Sequence, residues 1–203
     1  MSNLLHINTS IRSSGSHSRT LTEEFLAKWT ASHQAAVVER DLARDPIPHL
    51  DEITMGAFFT PAEKRSPQQL EAVALSDRLI AELQAADTIV IGAPMYNFSI
   101  SSGFKAWIDH VARAGVTFKY GETGPVGLLT GKKVIVFTAR GGVYSHGPAV
   151  SMDFHETYLR AVLGFIGLTD ITFIHTEGVG MGEEAVNKAL LQSRDALTAL
   201  AAA

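Results

Sequence analysis

The stretch Thr88-Ile89-Val90-Ile91-Gly92-Ala93-Pro94-Met95-Tyr96-Asn97-Phe98-Ser99-Ile100-Ser101-Ser102 decides the fold. Thr88 to Ile91 reads as a short, continuously apolar strand, the pattern of a strand buried on both faces. A tight irregular turn follows, and Ser102 opens a helix. In open α/β sheets, ligands bind where loops leave the C-terminal ends of the strands. A strand-end loop of Pro, Met, Tyr, Asn and Phe offers a fixed backbone, flat apolar surface and a few polar groups. A planar aromatic cofactor needs that mixture.

The same alternation extends in both directions. Leu4 to Asn8 reads as a first strand and runs into a hydroxyl-rich loop, Thr9 to Thr20, holding Ser10, Ser13, Ser14, Ser16 and Ser18. The capping-box spacing of Thr20 and Glu23 predicts a helix start there, with Leu21, Phe25, Leu26 and Trp29 on its apolar face. A second strand is expected over 35–42. Pro46 and Pro48 argue against regular structure, and the segment to Arg65 reads as a long connection. Ser66-Pro67-Gln68-Gln69 is a strong helix start. The helix from Ser102 is expected to end at Gly115, and 116–130 reads as a hairpin-like excursion. Lys133 to Thr138 is the fourth core strand. A helix over 154–165, a strand over 171–175 and a helix over 183–201 complete the chain. Strands alternating with helices predict a parallel sheet covered on both faces. The expected fold class is α/β and flavodoxin-like: five parallel strands in order 2-1-3-4-5, in a single domain over 1–203.

Composition narrows the function classes. The chain has 203 residues, 46% hydrophobic and 19% charged, a balance suited to a packed core. Its net charge is −4 and it carries no basic block, so no nucleic-acid partner is expected. It has no cysteine, which excludes disulfides, thiolate metal sites and a cysteine nucleophile. The N-terminus is too polar for a secretory signal, and no apolar run approaches the ~20 residues that span a bilayer. A cytoplasmic protein with no membrane association is expected. No metal site is expected either: His6, His110 and His155 lack partners at metal-ligand spacing. No G-x-S-x-G nucleophile elbow occurs, so hydrolysis has little support.

Three loops carry candidate binding chemistry. The serine-rich loop opens a helix, whose N-terminus presents unpaired N–H groups suited to phosphate, although a solvated capping loop would look similar. The loop is neither a Walker A motif nor a dinucleotide fingerprint. The nearest approach to the latter, Gly178-Val179-Gly180-Met181-Gly182-Glu183, lacks the third glycine and reads as a loop near the active-site edge or as the lead-in to a helix. After strand 4, Thr138-Ala139-Arg140-Gly141-Gly142 has paired glycines that admit a ligand close to the backbone, or simply serve a tight turn. Phe118, Tyr120, Tyr144 and His146 lie outside obvious core stripes and are candidates for a substrate pocket, with loop packing the plain alternative.

Ala93 to Phe98, Asp109 to Phe118, Gly131 to Lys133 and Ala139 to Gly142 together resemble the FMN-dependent NADH-azoreductases, members of the flavodoxin-like NAD(P)H:quinone oxidoreductases. The resemblance runs from Leu4 to the last helix. It implies bound FMN, with Ser10, Ser16, His17 and Ser18 in the phosphate loop. Pro94, Met95, Tyr96, Asn97 and Phe98 match the turn along the isoalloxazine ring, with Asn97 near its reactive edge. Ala139, Arg140, Gly141 and Gly142 match the second ring-binding loop, where members of that family often carry Ser at the position of Ala139. It also implies a homodimer with each active site at the subunit interface. The expected reaction is a ping-pong hydride transfer from NADH to a quinone or azo compound. The chemistry resides on the flavin and no protein general base is needed. No arginine cluster suited to a 2′-phosphate stands out, which favours NADH over NADPH. One rival reading is a flavodoxin-type carrier that passes electrons to a protein partner. A second is a receiver or ligand-sensing module at the same sheet edge, which would need an acidic pocket after strand 1 where this chain has Thr9 and Ser10.

Overall fold

The computed structural model describes residues 2–202. The chain alternates as β1 (Ser2–Asn8), α1 (His17–Ser32), β2 (Ala35–Asp41), α2 (Glu52–Phe59), α3 (Pro67–Ala85), β3 (Thr88–Pro94), α4 (Ser102–Val111), β4 (Phe118–Gly121), β5 (Gly124–Gly127), β6 (Lys133–Ala139), α5 (Phe154–Phe165), β7 (Asp170–Thr176) and α6 (Glu183–Ala201). The main sheet has the order β2-β1-β3-β6-β7, and every neighbouring pair is parallel. The antiparallel β4–β5 hairpin stands apart as its own two-stranded sheet. Counting only the core strands, this is the predicted 2-1-3-4-5 order.

Side-chain alternation along each strand divides the core in two. Leu5, Ile7, Ile89, Ile91, Val134 and Val136 face one side and pack with Leu79 and Leu83 of α3, Phe104 and Trp107 of α4, and Leu159 and Leu163 of α5. Leu4, Val90, Ile135, Phe137 and Ile174 face the other and pack with Leu21, Phe25 and Trp29 of α1 and Leu197 of α6. All seven residues of β3 are buried, as a central strand between two helical layers requires. Each fully buried large apolar side chain contributes roughly 1.5–3 kcal/mol. Residues lining both faces of one strand therefore lock its register.

Three boundaries depart from the expected ones. α1 begins at His17 behind Ser16, one turn before the Thr20–Glu23 pair, because Gly15 (φ +65°) already turns the chain into the helix. The stretch before Arg65 is not a plain connection. It holds α2, started by Asp51, whose carboxylate accepts from the Thr54 amide. α2 shows no clear apolar stripe: Ile53, Met55 and Phe59 are exposed, so no periodicity marks it in the sequence. α4 stops at Val111 rather than Gly115, because Thr117 Oγ1 donates to the Val111 carbonyl (2.6 Å) and accepts from the Arg113 amide (3.0 Å). The start at Ser66 is as expected. Its hydroxyl accepts from the Gln69 amide, Gln69 Oε1 accepts from the Ser66 amide, and Pro67 occupies the first turn.

Candidate active site

The parallel register brings the C-terminal ends of β1, β3 and β6 to one edge. Asn8 pairs with Gly92, and Pro94 pairs with Ala139. The loops that leave these strands are tied together. The Thr9 amide and hydroxyl both donate to the Gly92 carbonyl (3.0 and 2.9 Å), and Ser101 Oγ donates to the Thr9 carbonyl (2.9 Å) while capping α4. The Met95 amide donates to the Ala139 carbonyl (2.9 Å). Ser10 Oγ lies 3.4 Å from Tyr96 Oη. Between the loops is a cleft of about 280 Å³, lined by Ser10, Ser16, His17, Pro94, Met95, Tyr96, Ala139 and Gly141, with Arg12, Gly15 and Val179 completing the wall. That is near the small end of ligand pockets, which run ~300–1,000 Å³. A larger cavity of about 530 Å³ sits between α2, α3 and His110, away from the strand ends.

The serine-rich end of the cleft is built from α1. The first N–H groups of a helix have no intrahelical partner, and no side chain among the described residues caps this end. Ser16 is at the N-cap and its Oγ is 3.3 Å from Ser18 Oγ. Ser18 is fully buried and does not line the cleft. Its hydroxyl holds Ser16 rather than facing a ligand. Beneath the loop, Arg19 donates to Asp41 (2.6 Å) and to the Ser10 carbonyl (3.3 Å). Burial pushes the Asp41 carboxyl up, but hydrogen bonds from Arg19 and the amides of Ala43 and Arg44 outweigh it and hold the pKa below the ordinary value.

The turn after β3 is a two-residue hairpin. The Tyr96 and Ser99 amides donate to each other's carbonyls (2.9 and 3.0 Å), with Asn97 at φ +47° and Phe98 at φ +71° between them. Both central residues are left-handed, as in a type I′ turn. For a bulky residue such as Phe98 this backbone costs on the order of 1–3 kcal/mol and persists only where the surroundings impose it. Phe98 is partly exposed and meets Tyr144 edge to face, ring centroids 6.2 Å apart.

The loop after β6 divides sharply. Ala139 and Gly141 line the cleft. Arg140 points away from it. Its guanidinium is completely buried and pairs with Asp153 (2.9 Å), Glu177 (3.2 Å) and Glu156 (3.8 Å). Its amide donates to the Thr176 carbonyl, and its own carbonyl accepts from Val179. Arg140 therefore anchors the loop: its guanidinium is buried away from the cleft, and its amide and carbonyl are both hydrogen-bonded. The amides of Gly141, Gly142 and Val143 have no acceptor among the described residues.

The four substrate-pocket candidates do not converge within one chain. Tyr144 meets Phe98, whereas His146 lines a separate cavity of about 500 Å³ beside β7 and α6. Phe118 is buried against Phe165, ring centroids 4.3 Å apart. Tyr120 is 76% exposed and borders none of these cavities. Arg12, Gly15 and Val179 are the wall residues with no cofactor expectation attached to them, and Val179 is the one outside the first loop. The interrupted Gly-Val-Gly motif around it is the signal in the sequence.

A doubly wound parallel sheet with an uncapped helix start, an aromatic turn and a glycine pair at one edge defines a flavodoxin-like α/β protein. A family model described as a flavodoxin-like fold matches residues 2–201. The chain is 64% identical over 201 residues to an FMN-dependent NADH:quinone oxidoreductase of Herminiimonas arsenicoxydans, covering 98% of each. It is 51% identical over 196 residues to FMN-dependent NADH:quinone oxidoreductase 3 of Pseudomonas aeruginosa, covering 96% of this chain and 91% of that one. Among solved structures it is similar to an azoreductase from Bacillus anthracis, with a TM-score of 0.92, 30% identity and 99% coverage of both chains. It is also similar to an FMN-dependent NADH-azoreductase from Bacillus anthracis in complex with FMN, with a TM-score of 0.87, 26% identity, and coverage of 99% and 100%. The chain belongs to the flavodoxin-like family of FMN-dependent NADH:quinone oxidoreductases.

Proposed function

We propose that this chain is an FMN-dependent NADH:quinone oxidoreductase and azoreductase, and that the cleft between the β1, β3 and β6 loops holds the flavin. The observation that carries the reading is the meeting, at one cleft, of an uncapped helix N-terminus with Ser16, a wall of Met95 and Tyr96, and Gly141, whose acceptor-less amide begins a loop that continues with those of Gly142 and Val143. These groups fit FMN. The α1 amides and the Ser16 hydroxyl suit the phosphate, as unpaired helix N-termini bind anions. Met95 and Tyr96 offer a wall for the ring, and the Gly141–Val143 amides offer donors to its electron-rich end. When bound, FMN supplies a centre that accepts a hydride from NADH and passes two electrons to a quinone or azo compound.

The chain's own groups then have distinct tasks. α1 and Ser16 fix the cofactor's position. The Met95–Phe98 turn backs the ring and leaves exposed Phe98 beside it, with half-buried Tyr144 edge to face against Phe98, for a flat substrate to stack on. Donors held in advance where negative charge develops stabilise it without reorganising. The Gly141–Val143 amides are suited to that task. No side chain is assigned a proton-transfer role.

The functional unit is a homodimer with a site at each subunit interface. Tyr120 supports this: it borders none of its own chain's cavities described above, and only a second copy would give it a place in a site. Exposed Phe59 and Phe154 add apolar surface of the kind that a partner covers. No helix among the described residues is long and apolar enough to cross a membrane, and the expected location is the cytoplasm. The reading predicts NADH turnover with a simple quinone, with parallel double-reciprocal lines as quinone is varied. Intersecting lines would overturn the ping-pong order. Flavin binding without turnover would favour an electron carrier.

A further inference from the structure

The segment that places Val179 in the cleft wall also fixes the direction of the donors in the loop after β6. The carbonyls of Arg140, Gly141 and Gly142 accept from the amides of Val179 (3.0 Å), Gly180 (2.9 Å) and Gly178 (2.9 Å). Three successive carbonyls are thus fixed on one side. In a trans peptide unit the N–H points opposite its carbonyl, so the amides of Gly141, Gly142 and Val143 point away from the 178–180 segment.

Glu177 closes the far end of the same loop. Its Oε1 accepts from the Tyr144 amide (2.8 Å), the Ser145 amide (3.0 Å) and Arg140 Nη1 (3.2 Å), and its Oε2 accepts from the Ser145 hydroxyl. The loop amides on either side of the free three are therefore spoken for. Arg140 donates to Thr176, and Tyr144 and Ser145 donate to Glu177. The glycines are required by the same packing. Gly178 has φ +75°, and a Cβ on Gly180 would lie 3.1 Å from the Gly141 carbonyl oxygen.

We propose that Glu177 and the backbone of Gly178–Gly180 are positioning groups. They set the amides of Gly141, Gly142 and Val143 as a fixed row of donors for the end of the flavin ring that gains negative charge on reduction. This rests on the FMN reading above. The row carries three N–H groups whose direction is imposed from behind, so it stabilises the reduced ring more than the oxidised one. Glu177 does not touch the cofactor; it acts through the loop it holds.

The test strips the protein of flavin, titrates it with FMN and with riboflavin, and measures the two-electron midpoint potential of the bound flavin. Glu177→Gln should weaken both ligands by about the same factor, because the phosphate end is untouched. It should also lose about tenfold more affinity for the reduced form than for the oxidised form, a fall of about 30 mV for a two-electron couple. Gly180→Ala, which pushes on the Gly141 carbonyl, should move the potential the same way. It carries the test alongside Ser145→Ala if Glu177→Gln does not fold. Wild-type potentials in flavin-loaded variants would overturn this proposal alone. Wild-type protein that takes up neither ligand would remove the flavin reading and this proposal together.

Discussion

At the scale of single residues, the two serines of the first loop are not equivalent. Ser16 lines the cleft, whereas Ser18 is fully buried and spends its hydroxyl on Ser16. A hydrogen bond to a charged group is worth ~1.5–3 kcal/mol. Ser16→Ala should therefore weaken FMN binding roughly ten- to a hundredfold and leave riboflavin affinity near wild type. Ser18→Ala should have the smaller effect on FMN. Fluorescence titration of flavin-free protein separates the two, and equal losses would contradict the assignment. Ala139 meets a similar argument. Its carbonyl, in register with Pro94, receives the Met95 amide. A Ser at that position would make the same contact, so Ala leaves the ring-side turn anchored.

At the scale of elements, what the sequence made legible was local. Thr88 to Ile91 declared a buried strand by composition, and Ser66-Pro67 declared a helix start by its caps. The repeated strand–helix order then implied the sheet and put the three loops at one edge. Tertiary partners were not legible. Arg140 sits in a run with two glycines and reads as part of a ligand loop. Its destination is set by Asp153, Glu156 and Glu177, which lie 13 to 37 residues further along the chain and carry no motif. Removing one partner of a buried ion pair typically costs 3–5 kcal/mol, so this cluster holds the loop firmly. α2 carries no sequence signature because its exposed face is as apolar as its buried one. Thr117 shortened α4 through a side-chain bond that no helix-end pattern signals.

The whole molecule stores an acid sensitivity in its two buried faces. Burial holds His155 neutral, with its pKa lowered from 6.5 to about 3, Arg140 adding to the effect; burial likewise lowers His6 to about 4. In the unfolded chain each takes up a proton near pH 6.5. The stability that comes from keeping them neutral is complete above that pH and drains away as pH falls towards their folded values. By pH 5 each accounts for a loss of about 2 kcal/mol. Denaturant unfolding at pH 8 and pH 5 should show a drop that His155→Leu reduces by about that amount; an unchanged drop would contradict it. The account's central claim concerns the sheet edge as a unit: three loops hold FMN where NADH and a quinone can reach it in turn. An anaerobic absorption spectrum of the flavin-reconstituted protein tests this most directly. The flavin bands should bleach on adding NADH and return on adding a quinone. A protein that stays colourless after reconstitution, or bound flavin that NADH leaves unbleached, would contradict it.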